Sequence, residues 1–99
     1  MGSRLQLQAD LEAITPHVYF QPPNNLEMLF PCIRYARDDV DVKFAGNRPY
    51  THTKRYQVTV IDRNPDSEIP DEVMELPLCT FDRYFPADNL NHYVFTLFF

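Results

Sequence analysis

The stretch Lys54 to Arg63, KRYQVTVIDR, decides the fold. Tyr56, Val58 and Val60 fall on one side of an extended chain, and Gln57, Thr59 and Ile61 fall on the other. β-Branched and aromatic residues dominate, and neither Gly nor Pro interrupts the run before Pro65. That composition and alternation predict a long strand with one well-buried face. Asp62-Arg63-Asn64-Pro65-Asp66-Ser67 is turn chemistry, so the strand is delimited and a new element starts after it.

Working back from this strand, Arg37 to Phe44 (RDDVDVKF) also alternates. Val40, Val42 and Phe44 point one way, and Asp39, Asp41 and Lys43 the other, which predicts a strand with one solvated face. Gly46-Asn47 suits a tight reversal between them. Arg37–Phe44 and Tyr50–Arg63 are therefore expected to form a long antiparallel hairpin. Its tip, roughly Val42 to Thr53, either protrudes beyond the core or lies flat on the sheet. Phe30 to Tyr35 is a further extended segment, with Pro31 near its start, where a strand tolerates proline. His17 to Gln21 (HVYFQ) is a short strand candidate, broken by Pro22-Pro23-Asn24-Asn25. Before it, Leu7, Leu11 and Ile14 share a face at helical spacing. Ser3 is the candidate N-cap and Thr15-Pro16 the stop, which makes an amphipathic helix of about three turns.

Working forward, Ser67 to Leu76 (SEIPDEVMEL) reads as a short second helix. Ser67 or Asp66 is the expected cap, Pro70 suits the first turn, and Glu68, Asp71 and Glu72 favour the positive end of the dipole. Ile69, Val73 and Leu76 make its apolar side. Leu78 to Phe85 is a strand with room for a bulge near Asp82, and Pro86-Ala87-Asp88-Asn89 is a turn. Asn91 to Phe99 (NHYVFTLFF) is apolar on both faces. Such a strand is central in its sheet, covered by helices, or part of a subunit interface. The expected order is α-β-β-β-α-β-β, give or take one N-terminal strand. The fold class is α+β: one domain over residues 1–99, a mostly antiparallel sheet flanked by two helices on one face, with a long protruding β-hairpin.

A chain of 99 residues buries roughly 60–70% of its unfolded surface, so its core is adequate but small. The nine prolines sit between expected elements and stiffen the connections, while only two glycines are present. A formal net charge of −5 argues against a nucleic-acid-binding surface, which must be cationic. Cys32 and Cys79 are expected to be buried free thiols rather than a disulfide. No apolar run approaches the roughly 20 residues of a membrane span or has signal-peptide length. The reading is a soluble protein made in a reducing cytoplasm.

Catalytic signatures are missing: no G-x-S-x-G, no P-loop, no G-x-G-x-x-G and no H-E-x-x-H occurs. Serine is found only at Ser3 and Ser67, both at expected helix starts. His17, His52, His92, Cys32 and Cys79 match no metal-ligand spacing. Asp39 and Asp41 share a strand face, but the loop and glycine of a calcium site are lacking. The residues therefore point to no enzyme activity, no cofactor and no metal.

Arg55 to Pro70 (RYQVTVIDRNPDSEIP) resembles a stretch of small tail proteins of long-tailed bacteriophages. Cys79 to Phe85 (CTFDRYF) and Asp88 to Phe95 (DNLNHYVF) resemble the same group, the tail terminator or tail completion proteins, also called minor capsid or neck proteins. The likeness runs from Leu11 to Phe99 and rests on strand and turn sequences. It implies a small α+β structural virion protein that assembles as a ring of identical subunits, a hexamer in that family. Such a ring caps the tail tube, stops its elongation and docks the head–tail connector protein. It implies assembly in the bacterial host cytoplasm and residence in the virion, with genome DNA passing an acidic lumen without specific binding. It transfers no catalytic residue.

Ring contacts are heterologous, so two different surfaces of one subunit must be complementary. The candidates are the hairpin (Arg37, Asp39, Asp41, Lys43, Arg48, Tyr50, His52, Lys54) and the region of the second helix and its turn (Arg63, Asp66, Glu68, Asp71, Glu72). Competing readings are a head-completion or connector (neck) protein of the same module, a small cytoplasmic ligand-binding α+β domain, and a nucleic-acid-binding module in which sheet aromatics such as Tyr56 stack on bases.

Overall fold

The computed structural model describes residues 4–22, 28–45 and 48–99, and of 38–45 and 48–53 it describes the backbone alone. The chain runs α1 (Arg4–Glu12), β1 (Val18–Phe20), β2 (Cys32–Ala45), β3 (Arg48–Asp62), α2 (Ile69–Met74), β4 (Cys79–Ala87) and β5 (Leu90–Phe98). That is the expected α-β-β-β-α-β-β order. Five strands form one sheet in the order β1-β2-β3-β5-β4. Only β1 and β2 are parallel; the β2–β3, β3–β5 and β4–β5 pairs are antiparallel.

β3 is the spine, as its sequence predicts. Tyr56, Val58 and Val60 are fully buried on one face, and the ladder continues that face across the sheet. Val58 opposes Tyr35 of β2 and Phe95 of β5, while Val60 opposes Ile33 and Tyr93. Both helices cover this same face. Leu7 and Leu11 of α1 and Val73 of α2 join Ile33, Tyr35, Tyr56, Val58, Val60, Phe95 and Leu97 in a single core cluster. An i, i+4 leucine pair puts one stripe of α1 on the sheet, and Ile14 packs against the cluster beyond the helix end. Tyr35 ties α1 down with its polar tip. Its hydroxyl donates to Gln8 Oε1 at 2.5 Å and accepts from Arg4 at 3.3 Å. Burial raises the Tyr35 hydroxyl pKa above its ordinary value, against the opposing pull of Arg4.

The two-faced apolar strand Asn91–Phe99 is explained by its place: β5 lies inside the sheet, between β3 and β4. The bulge expected near Asp82 is present, because the β4–β5 register shifts between Phe81 and Arg83. Asp88 (φ 53°) and Asn89 (φ 63°) form the two-residue turn between β4 and β5. Positive φ at both central positions matches the twist of a hairpin, and Asp and Asn tolerate it better than most residues.

Three expectations need correction. Phe30–Tyr35 and Arg37–Phe44 are one continuous strand, β2, because a register irregularity between Arg37 and Asp39 absorbs the change of pattern that suggested a break. The second helix is shorter than Ser67–Leu76. It begins at Ile69, with Glu68 at the cap position and no side-chain cap bond. Neither Asp66 nor Ser67 is the cap residue; Ser67 Oγ instead accepts the Ile69 N–H at 3.3 Å. A chain of such local bonds builds the turn: Asp62 Oδ1 accepts from the Asn64 N–H and Asn64 Oδ1 from the Asp66 N–H, each at 3.0 Å. These side chains compete with helix formation and delay its start. The first helix is likewise shorter than Ser3–Ile14, and its proposed cap, Ser3, lies outside the described residues, as does the Gly46-Asn47 reversal.

Cys32 and Cys79 are both free thiols, the first buried and the second half-buried. Burial pushes the Cys32 thiol from 9.0 up to about 11, with Arg34 opposing and Asp62 adding to the rise. Burial raises Cys79 as well.

Candidate assembly surfaces

The register of β3 separates the two sets of candidate residues. β3 pairs with β5 only from Arg55 to Asp62, whereas its pairing with β2 continues to Arg48, opposite Ala45. Arg48 and Tyr50 therefore lie at one end of β3, and Arg63 follows its other end. Fourteen residue steps at about 3.3 Å make roughly 46 Å between these ends, in a molecule whose longest extent is 51 Å.

Lys54 opposes Val40, and Arg37 opposes Tyr56, at the base of this paired segment. The Arg37 guanidinium lies 5.9 Å from the Tyr56 ring, and its backbone N–H donates to Gln21 Oε1 at 3.2 Å. Asp39, Asp41, Lys43, Arg48, Tyr50 and His52 have assigned backbone positions in β2 and β3. Their side chains lie outside the described residues. At the other end Arg63, Asp66, Glu68, Asp71 and Glu72 are all exposed, within the turn and the first turn of α2.

The two sets differ in sign. Arg37, Lys43, Arg48 and Lys54 against Asp39 and Asp41 leave +2, and Arg63 against Asp66, Glu68, Asp71 and Glu72 leaves −3. Separation along β3 keeps them from meeting within one subunit.

Two further surfaces escape the sequence reading. One is apolar. Edge strand β4 exposes Phe81 (50%) and Tyr84 (47%) on the helix-bearing face, while neighbouring Leu78 (68%) and Met74 (44%) are also exposed. Phe81 packs edge-on to Phe95 and Tyr84 tilts against Tyr93, so each ring is supported from below and open above. The sequence marks these residues as apolar, but not that their strand is the edge.

The other surface is the face of the sheet that the helices leave uncovered. One transverse row crosses it: Tyr19, Arg34, Thr59, Val94 and Arg83, from β1 through β2, β3 and β5 to β4. The row beside it runs Cys32, Ile61, His92 and Phe85. A groove of about 250 Å³ lies here, lined by Arg34, Gln57, Thr59, Arg83, His92 and Phe85 among others. Phe85 stacks on His92 at 4.7 Å with rings almost parallel (8°). Arg34 and Arg83 are far apart in sequence, and only the interposition of β3 and β5 brings them to one groove.

No group of three or more His, Cys, Asp or Glu side chains arranged to hold a metal ion occurs among the described residues. Among the described residues no helix is long and apolar enough to cross a membrane. No protein-family model matches the chain, and no curated protein matches it.

Proposed function

We propose that this protein is a structural subunit of a phage tail terminator. In this reading identical copies close into a ring that caps the tail tube, stops its growth and joins the tail to the head connector. The observation that carries the reading is the segregation of two oppositely charged sets along β3: by strand geometry Arg48 lies about 46 Å, and Lys54 about 26 Å, from Asp62, beyond which the acidic set follows. A +2 end and a −3 end on one elongated subunit make a heterologous, head-to-tail contact, and such contacts generate rings when the rotation closes. The exposed apolar edge of β4 supplies contact area that surface charges alone do not. The resemblance of Arg55–Pro70, Cys79–Phe85 and Asp88–Phe95 to tail terminators supports the same role. The net charge of −5 suits a lumen through which DNA passes without adhering. The activity is assembly, with no chemical step and no cofactor.

The test is native mass spectrometry of the purified protein, alone and with tail-tube protein. The expected result is a closed species of about six subunits, alone or on the tube. Arg48→Glu together with Lys54→Glu should remove it at low and moderate salt. A persistent monomer that ignores the tube, or a ring indifferent to both substitutions, overturns the proposal. Binding to the head portal or its adaptor instead of the tube would assign the protein to head completion.

A further inference from the structure

We infer that the uncovered face of the sheet holds a binding site for a compact organic oxyanion, such as a small aryl or acyl carboxylate. The first observation is electrostatic. The chain carries 14 acidic and 9 basic side chains, yet none of the residues lining the groove is acidic, and two are arginines. Arg34 is solvent-exposed, so its guanidinium is within reach of a ligand. Arg83 is 3.2 Å from the carboxylate of its neighbour Asp82, with both side chains well exposed. Exposed pairs of this kind contribute little, so an incoming anion competes with Asp82 on favourable terms. Guanidinium groups offer fixed, forked donors that match a carboxylate or phosphate edge.

The second observation is geometric. Arg34 and Arg83 stand at β2 and β4 in one transverse row, with Thr59 and Val94 between them. Three strand spacings of about 4.8 Å separate their backbones by roughly 14 Å. Two long side chains leaning inward over a low floor can therefore clamp one anion between them. Val94 is only 2% exposed although no helix covers this face, so side chains do lean across it. Gln57 and Thr59 place short polar groups on the floor.

The third observation sets the ligand's body. Ala36, Ile61, Val94 and the Phe85–His92 stack supply apolar and flat lining. His92 Nε2 is buried without a hydrogen-bond partner among the described residues, which leaves a further polar atom at this wall unpaired. The volume of about 250 Å³ is just below the roughly 300–1,000 Å³ of sites that hold drug-sized molecules, so the ligand is compact. A bare inorganic anion would leave the apolar half of the groove wet, whereas an aromatic carboxylate covers it.

The inference is independent of ring assembly, and its test uses the whole purified chain. Amide resonances of the isotope-labelled protein are followed during titration with sodium benzoate, with inorganic phosphate, and with benzylammonium as a cationic control. Benzoate is expected to shift Gln57, Thr59, His92 and Val94 and to bind at least ten-fold tighter than phosphate, and benzylammonium to leave them unmoved. Arg34→Gln and Arg83→Gln, both at exposed positions, should each weaken benzoate by about ten-fold, and Arg63→Gln should leave it unchanged. The spectrum of each variant verifies its fold. Absence of benzoate shifts, equal affinity for phosphate, or binding untouched by either arginine substitution overturns the inference.

Discussion

The apolar hold of α1 on the sheet rests on its two buried leucines, Leu7 and Leu11, which makes it a sharp place to test the fold. Leu11 is fully buried in the central cluster, whereas Leu5, in the same helix, is 68% exposed. Leu11→Ala removes three carbons from the core. At about 0.8 kcal/mol per buried methylene the transfer loss is roughly 2.4 kcal/mol. The unfilled cavity adds to this, and buried Leu→Ala changes cost about 2–5 kcal/mol in all. We therefore expect about 3 kcal/mol, against a total stability of roughly 5–15 kcal/mol for a domain of this size. The melting temperature should fall by roughly 12–24 °C, at about 4–8 °C per kcal/mol. Leu5→Ala makes the same chemical change at a solvated site, so its effect should stay within about 0.5 kcal/mol. Urea denaturation followed by circular dichroism measures both. Similar midpoints for the two variants would refute the assignment of Leu11 to the core and, with it, the docking of α1 on the β3 face.

Two further outcomes follow from particular residues. Cys32 should lend the fold a pH dependence: its thiol stays protonated up to about 11 when folded but ionises near 9.0 when exposed. The folded state therefore binds the proton more tightly. Its contribution is fully present below pH 9 and is lost as pH rises through the folded value, by roughly 3 kcal/mol. Stability curves between pH 8 and 11 should fall less steeply for Cys32→Ala than for the natural chain. In the β4–β5 turn, Asn89 sits at φ 63°. A β-branched residue there pays the left-handed penalty, so Asn89→Val should destabilise by about 1–2 kcal/mol, while Asn89→Gly should leave stability equal or higher in thermal melts.

Much of this architecture is legible in the chain because alternation and turn chemistry are local signals. The period-two pattern of Tyr56-Val58-Val60 marks the buried face of β3, and Asp88-Asn89 marks the last hairpin. The i, i+4 pair Leu7 and Leu11 marks the helix stripe. Strand order is not a local signal. Nothing near Arg83 says that it lies across two strands from Arg34, so the groove is not legible in the sequence. The same holds for the exposure of Phe81 and Tyr84, whose apolar character reads as core until β4 is known to be an edge. The start of α2 is ambiguous in the sequence for another reason. Asp62, Asn64 and Ser67 all carry side chains that bond locally, and which of them ends the turn depends on competition among them.

The ladder order also dictates how the molecule must come together in time. β2 with β3, and β4 with β5, are neighbours in sequence and need only short closures. The pairing of Arg55 with Phe98 and of Val58 with Phe95 joins segments far apart along the chain. Local hairpins form in microseconds, whereas long closures carry the entropic cost that slows folding. The slow event expected from this topology is the zipping of β5 onto β3, along a seam that divides the chain into an amino-terminal half-sheet and a carboxy-terminal one. Until that seam closes, one edge of the aromatic strand Asn91–Phe99 lacks its β3 partner, and the nascent protein is most exposed to clumping with its own kind.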